Sequence, residues 1–306
     1  MSSRLPEHIA SRLSLPLIAA PMFKVSSPAL VIAACNAGVI GAFPTLNARP
    51  VTQLVEWLDE IKAGLKPGAA PFAPNLIMRD KRIAEDVKAV LDAGAEVVIT
   101  SVGSPAPVMG PLHEAGCLVL CDVATLEHAR KAIAAGVDGL ILLAAGAGGH
   151  TGWMNPFAFV RAVRQFYDGI VVMAGGMSDG QALFAAQVLG CDLGYMGTLF
   201  IATKESFADD AYRSFLTDSD LDHIVTSGAF KGMPGNYLAK ALAAQGWDPR
   251  RLEVHFPPPA DGSPPNYPEG WMAGHSVSGV SGPTTVADLV AEIRAQYEAA
   301  RDAFAN

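Results

Sequence analysis

One histidine stands in a loop that holds no other titratable side chain. The stretch Ala144-Ala145-Gly146-Ala147-Gly148-Gly149-His150-Thr151-Gly152-Trp153 follows an apolar run and precedes an amphipathic one. Glycine removes side chains and widens the allowed backbone conformations, so Gly148 and Gly149 let a large group approach the main chain. His150 is the side chain there that can gain or lose a proton near neutrality. The bland alternative is a glycine-rich turn with a solvated or internally bonded histidine.

Two further turns suit an anion. Met173-Ala174-Gly175-Gly176-Met177-Ser178-Asp179-Gly180 ends one apolar run and leads into a helical stretch, and Tyr195-Met196-Gly197-Thr198 ends the next. The backbone N–H groups of Gly175, Gly176, Gly197 and Thr198 can converge on one phosphate. The Thr198 hydroxyl adds a donor, and a helix N-terminus adds partial positive charge. Ala20-Pro21-Met22 carries no bulky polar group and suits backbone contact with a planar ring. Asn75 offers both a donor and an acceptor to a heterocycle edge, or else simply caps a turn.

These residues need a scaffold that gathers the ends of many strands. Leu15–Met22, Val39–Thr45, Phe72–Met78, Glu96–Val102, Leu118–Val123, Gly139–Ala145, Gly169–Ala174 and Leu193–Phe200 read as short apolar strands. Seven helical stretches separate them: 27–37, 50–65, 82–93, 105–115, 126–135, 155–167 and 179–189. Gly38, Gly94, Gly116, Gly136 and Gly190 stand where helices commonly close. Alternating strands and helices imply parallel βα units, and eight of them close as an α/β (β/α)8 TIM barrel, with a doubly wound sheet as the alternative. In such a barrel the site lies at the C-terminal ends of the strands, with phosphate after the seventh and eighth. Glu205–Thr217 and Asn236–Gln245 read as a helical insertion, His255–Thr285 as a Pro/Gly-rich arm, and Val286–Arg301 as the eighth helix. The expected division is 1–203 plus 286–306 for the barrel and 204–285 for the insertion and arm.

Composition narrows the classes of function. Half of the 306 residues are apolar, 17% are charged and the net charge is −8, with no dense basic cluster. Nucleic acid and anionic membrane are therefore poor partners. The apolar run Leu13–Met22 is broken by Pro16 and Pro21, and no apolar run has the roughly 18 residues that a membrane span needs. A cytoplasmic enzyme is expected. Cys35, Cys117, Cys121 and Cys191 are widely spread and read as buried thiols. His8, His113, His128, His223 and His255 show no ligand spacing, so no metal site is expected. Lys24 and Lys231 read as solvated.

A phosphate end, a planar end and a histidine loop together fit flavin mononucleotide. The set Ala20-Pro21-Met22, Ala147-Gly148-Gly149-His150, Ala174-Gly175-Gly176 and Met196-Gly197-Thr198 resembles the nitronate monooxygenase (2-nitropropane dioxygenase-like) family of FMN enzymes over roughly residues 15–205. The resemblance implies FMN with its phosphate at Gly175, Gly176, Gly197 and Thr198. It places Ala20, Pro21, Met22 and Asn75 beside the ring and His150 near the substrate. Many members carry a lysine at the end of strand five, where this chain has Asp122. A carboxylate there would accept hydrogen bonds from ribityl hydroxyls. The family also includes NADH:quinone, enoyl-thioester and CoA-thioester enzymes.

His150 is expected to act as a base toward an acidic C–H or to bind an anionic nitronate, with O2 as co-substrate. The alternative is an NAD(P)H-dependent FMN reductase; a non-catalytic flavin-binding barrel is a third reading. An aldolase-type barrel would need a Schiff-base lysine at a strand end, and none is seen. Trp153 either walls the substrate pocket or packs on the next helix. His275 lies in the Pro/Gly arm, either folded over the flavin as a pocket residue or as a surface histidine. The apolar composition and the arm permit a homodimer.

Overall fold

Apolar side chains alternate along each short strand between two separate buried clusters, so both faces of the sheet are covered. The computed structural model describes residues 4–228, 233–249 and 271–305. Its strands are β1 (Leu17–Ala19), β2 (Ile40–Pro44), β3 (Phe72–Ile77), β4 (Val97–Ser101), β5 (Leu118–Val123), β6 (Gly139–Leu143), β7 (Gly149–His150), β8 (Ile170–Ala174), β9 (Leu193–Met196), β10 (Ile224–Ser227) and β11 (Gly235–Leu238). The order β1-β2-β3-β4-β5-β6-β8-β9 closes as a parallel barrel, sealed by β1 against β9 with Ile18 opposite Tyr195. The (β/α)8 expectation holds.

Ile18, Ile40, Ala73, Ile99, Leu120, Ile141, Val172 and Leu193 form one buried cluster, inside the barrel. Their neighbours Leu17, Leu76, Val98, Val119, Leu140, Val171 and Met196 belong to the other, between barrel and helices. Burying such a side chain is worth about 1.5–3 kcal/mol. Period-two alternation also fixes what lies at the barrel mouth. Asn75, Ser101, Asp122 and Tyr195 each stand two residues beyond the inward-facing Ala73, Ile99, Leu120 and Leu193, so they face the same interior.

Local chemistry sets the helix ends. Ser27, Thr125, Asn155 and Asp179 cap the helices Pro28–Asn36, Leu126–Ala134, Pro156–Val163 and Gly180–Leu189, each accepting from a backbone N–H of the first turn. The five glycines expected to close helices all have positive φ. The eighth helix spans Val286–Ala305 and packs tightly on Gly180, where a Cβ would lie 2.1 Å from the Ile293 carbonyl.

The insertion departs from the helical expectation. The helix expected over Glu205–Thr217 begins only at Asp210, where Asp209 caps it. Of the helix expected over Asn236–Gln245, residues Asn236–Leu238 belong to strand β11, and the helix is confined to Ala239–Ala244. Strand β11 pairs antiparallel with β10 on one side and β7 on the other, a three-stranded sheet outside the barrel. Tertiary pairing overrides helical propensity here, because Asn236 and Tyr237 are fully buried in that sheet. Of the Pro/Gly arm, His255 and Pro257 to Pro268 lie outside the described residues, as does Lys231; the chain returns at Trp271 and crosses to Tyr237 through Met272. All four cysteines are buried and free. Among the described residues no helix is long and apolar enough to cross a membrane, and no cluster of potential ligands could hold a metal.

Candidate active site

The loop after β6 is built from its carbonyls outward. Thr151 Oγ1 donates to the Ala144 carbonyl at 3.0 Å, and Ala145 N–H donates to the Met154 carbonyl at 2.8 Å. The buried Asn236 amide donates to the Ala147 carbonyl at 2.7 Å and accepts from Thr226 Oγ1 on β10. His150 is held by strand pairing, opposite Gly235 of β11, and is half-buried. A loop position in the sequence is therefore a strand position in the fold, which fixes the backbone that carries the imidazole.

The turns after β8 and β9 lie side by side, because Ala174 pairs with Tyr195. Gly175 (φ +117°) and Gly176 (φ +75°) turn in conformations that L side chains rarely adopt. A Cβ on Gly175 would come 2.9 Å from Ala147 N and 3.1 Å from the Ala145 carbonyl, so the histidine loop rests on this turn. A Cβ on Gly176 would meet nothing within 4 Å. A Cβ on Gly148 would approach Thr198 Oγ1 to 3.3 Å, and one on Gly197 would approach Met22 Sδ to 3.3 Å. Five of the expected elements are thus in mutual contact: Ala20–Met22, Gly148, the Gly175–Gly176 turn, Gly197 and Thr198. Pro21 lies between Ala20 and Met22 in the same turn, which Ser26 and Asn47 pin at Met22.

The N–H groups of Gly175, Gly176, Gly197 and Thr198 donate to no acceptor among the described residues. Asp179 caps the helix after β8, so that N-terminus carries its own carboxylate. The single turn Thr198–Ile201 starts at Gly197 without a side-chain cap. Thr198 Oγ1 accepts from Gly274 N–H at 2.9 Å, leaving its own proton to give.

Inside the mouth, Asn75 and Asp122 meet through Ser101. Asn75 Nδ2 donates to Ser101 Oγ at 2.7 Å, and Ser101 Oγ donates to Asp122 Oδ2 at 2.6 Å. Burial pushes the Asp122 carboxyl up to about 7, with the Ser101 hydrogen bond pulling the other way. Tyr195 titrates well above its ordinary value, through burial and then the Asp122 charge. Val102 follows Ser101 with φ +56°, a left-handed conformation costing a β-branched residue on the order of 1–3 kcal/mol. Ser101, Tyr195 and Asn236 were not among the expected site residues. The alternation that turns Asn75 inward also turns Ser101 and Tyr195 inward, so two of the three were legible.

His275 reaches the site from the returning arm. Its N–H donates to the Gly146 carbonyl at 2.9 Å, and its ring would lie 2.7 Å from a Cβ on Gly146. Partial burial lowers its pKa. Trp153 is 79% exposed, so it does not pack on the next helix as one reading expected. A cleft lined by His8, His113, Cys117 and Asp138 opens beside the start of β5, at the opposite end of the barrel from these residues.

Comparison with known proteins shows what the whole chain is similar to. The sequence profile of the family described as Nitronate monooxygenase matches residues 73–249. A nitronate monooxygenase of Paraburkholderia phytofirmans is 28% identical over 86% of this chain and 81% of its own. A (3aS,4S,5R,7aS)-5-hydroxy-7a-methyl-1-oxo-octahydro-1H-indene-4-carboxyl-CoA dehydrogenase of Mycobacterium tuberculosis is 29% identical over 74% of this chain, which spans 64% of that protein. The solved structure of a nitroalkane oxidase from Streptomyces ansochromogenes superposes with a TM-score of 0.82 at 24% identity, covering 97% of this chain and 99% of that one.

Proposed function

The chain belongs to the nitronate monooxygenase family, and on that premise we propose that it is an FMN-dependent oxidoreductase that oxidises alkyl nitronates with O2. The observation that carries this reading is the adjacency of the turns after β8 and β9, whose four N–H groups find no acceptor among the described residues, beside the loop that presents His150. The donor set fits a phosphate: backbone N–H groups, one hydroxyl and left-handed glycines, of which Gly176 has no atom within 4 Å of where a Cβ would stand.

Gly175, Gly176, Gly197 and Thr198 would hold the FMN phosphate. Ala20, Pro21, Met22 and Asn75 would border the ring, with Gly148 and Gly149 giving it backbone access. When bound, the flavin supplies the two-electron redox chemistry. His150 would take a proton from an acidic C–H or hydrogen-bond to the nitronate oxygens. Its strand pairing to Gly235 limits the reorganisation needed in either role. Strands β10 and β11, paired to the His150 strand, would flank the mouth, with His275 on the pocket rim. Trp153, standing in solvent, is the weakest member of the proposed pocket.

The test is direct. The purified protein should release FMN on heating, identified by mass, and should consume O2 when given a nitronate. Protein that carries no flavin, or that is inert to every nitronate while flavin-loaded, overturns the reading. A second reading has a specific observation behind it: identity to the CoA-thioester dehydrogenase matches that to the nitronate monooxygenase. Flavin reduction by NADH or NADPH, with no response to nitronates, would favour a pyridine-nucleotide enzyme acting on a thioester or quinone.

A further inference from the structure

The hydrogen-bond chain at the barrel mouth has a direction fixed by its donors. The Asn75 amide nitrogen has only hydrogens to give, and one goes to Ser101 Oγ. Ser101 has a single hydroxyl proton, and it goes to Asp122 Oδ2. Oδ2 is therefore an acceptor, and any proton on this carboxyl group must sit on Oδ1. Oδ1 is buried and has no hydrogen-bond partner among the described residues.

Among the described residues, the surroundings of Asp122 hold no countercharge. Tyr195 faces it from β9 and Cys121 adjoins it on β5; both are neutral at physiological pH, and the Asp122 charge raises both. The neighbouring strands contribute Asn75 and Ser101 from β3 and β4 and apolar Ile141 and Leu143 from β6. No cationic side chain among the described residues shifts the carboxyl. A planar ligand laid over the mouth strips away the remaining solvent, and desolvation without a countercharge favours the neutral acid.

We propose that Asp122 meets the bound flavin as a carboxylic acid, donating its Oδ1 proton to a ring carbonyl or ring nitrogen, so that flavin binding takes up a proton from neutral to alkaline pH. This rests on the flavin reading above. It reverses the sequence expectation of a carboxylate accepting from ribityl hydroxyls. It also restores a donor at the strand-five end, where many members of the family have lysine.

The experiment titrates flavin-stripped protein with FMN, following flavin fluorescence from pH 6 to 9, in wild type and Asp122→Asn. The amide donates at every pH, and the titration of the FMN phosphate is common to both proteins. Wild-type affinity should fall about tenfold per pH unit above about 7, relative to Asp122→Asn. Calorimetry in two buffers of different ionisation enthalpy should count close to one proton taken up by wild type at pH 8. Equal pH dependence in the two proteins overturns the inference. A proton count of zero in wild type overturns it without reference to the variant. Absence of FMN binding at every pH overturns the flavin reading itself.

Discussion

Gly176→Ala separates a binding role for the turn after β8 from a purely structural one. Gly176 has φ +75° and nothing within 4 Å of an added Cβ, so the methyl group clashes with no protein atom. The cost to folding is conformational, about 1–2 kcal/mol for an L side chain in the left-handed region. Gly136 supplies the matching control. It has φ +91°, likewise has nothing within 4 Å, and leads into the start of β6, at the opposite end of the barrel.

Gly136→Ala and Gly176→Ala should therefore melt within a few degrees of each other. They should differ in flavin binding. A Cβ at 176 stands beside N–H donors meant for an anion, and losing one hydrogen bond to a charged group costs about 1.5–3 kcal/mol. FMN affinity should drop roughly 10- to 150-fold in Gly176→Ala and hold in Gly136→Ala. Fluorescence titration of the two variants beside their thermal melts provides both readings. Gly176→Ala binding FMN as tightly as Gly136→Ala would refute that binding role. Gly175→Ala is the wrong variant for this purpose, since its Cβ strikes three backbone atoms of residues 144–147 at 2.9–3.2 Å.

Three further outcomes follow from the same geometry. His150→Ala should lower turnover about 10²- to 10⁴-fold, as loss of a general base does, with FMN content unchanged; steady-state kinetics on flavin-quantified protein checks it. The Asp122 carboxyl titrates at about 7 when folded against an ordinary 3.8, so the folded flavin-free protein holds the extra proton between those values. Stability should then be greatest below about pH 4 as far as this group is concerned. It should decline on the order of 4 kcal/mol as pH rises to about 7 and level off, a slope that urea melts should find missing in Asp122→Asn. Burial pushes Cys35 and Cys191 up to about 12 and Cys121 to about 11, so Ellman's reagent should label the native protein slowly and the denatured protein fast.

The barrel was legible because its signal is local and repeated. Apolar runs, capping residues and closing glycines such as Gly38 and Gly136 announce each βα unit without reference to the others. The adjacency of the two glycine turns was legible for a related reason, as Gly-Gly after one strand and Gly-Thr after the next follow neighbouring strands of the barrel. The insertion was not. Gly235–Leu238 becomes a strand because residues 224–227 and 149–150 flank it, and the pairing to 149–150 spans a long stretch of sequence. The β-branched run Ile224-Val225-Thr226 was the signal that went unread. Ser101 was missed for want of one step, carrying strand alternation from Asn75 to the next strand's end. For Trp153 the exposed side chain sets aside packing on the next helix, one of its two readings.

The most direct measurement of the central claim mixes the flavin-loaded protein with a nitronate in the absence of oxygen and follows the flavin absorbance. The nitronate should bleach the flavin, more slowly in His150→Ala, and the yellow form should return when O2 is admitted. Bleaching by NADH or NADPH with no response to any nitronate would contradict that claim.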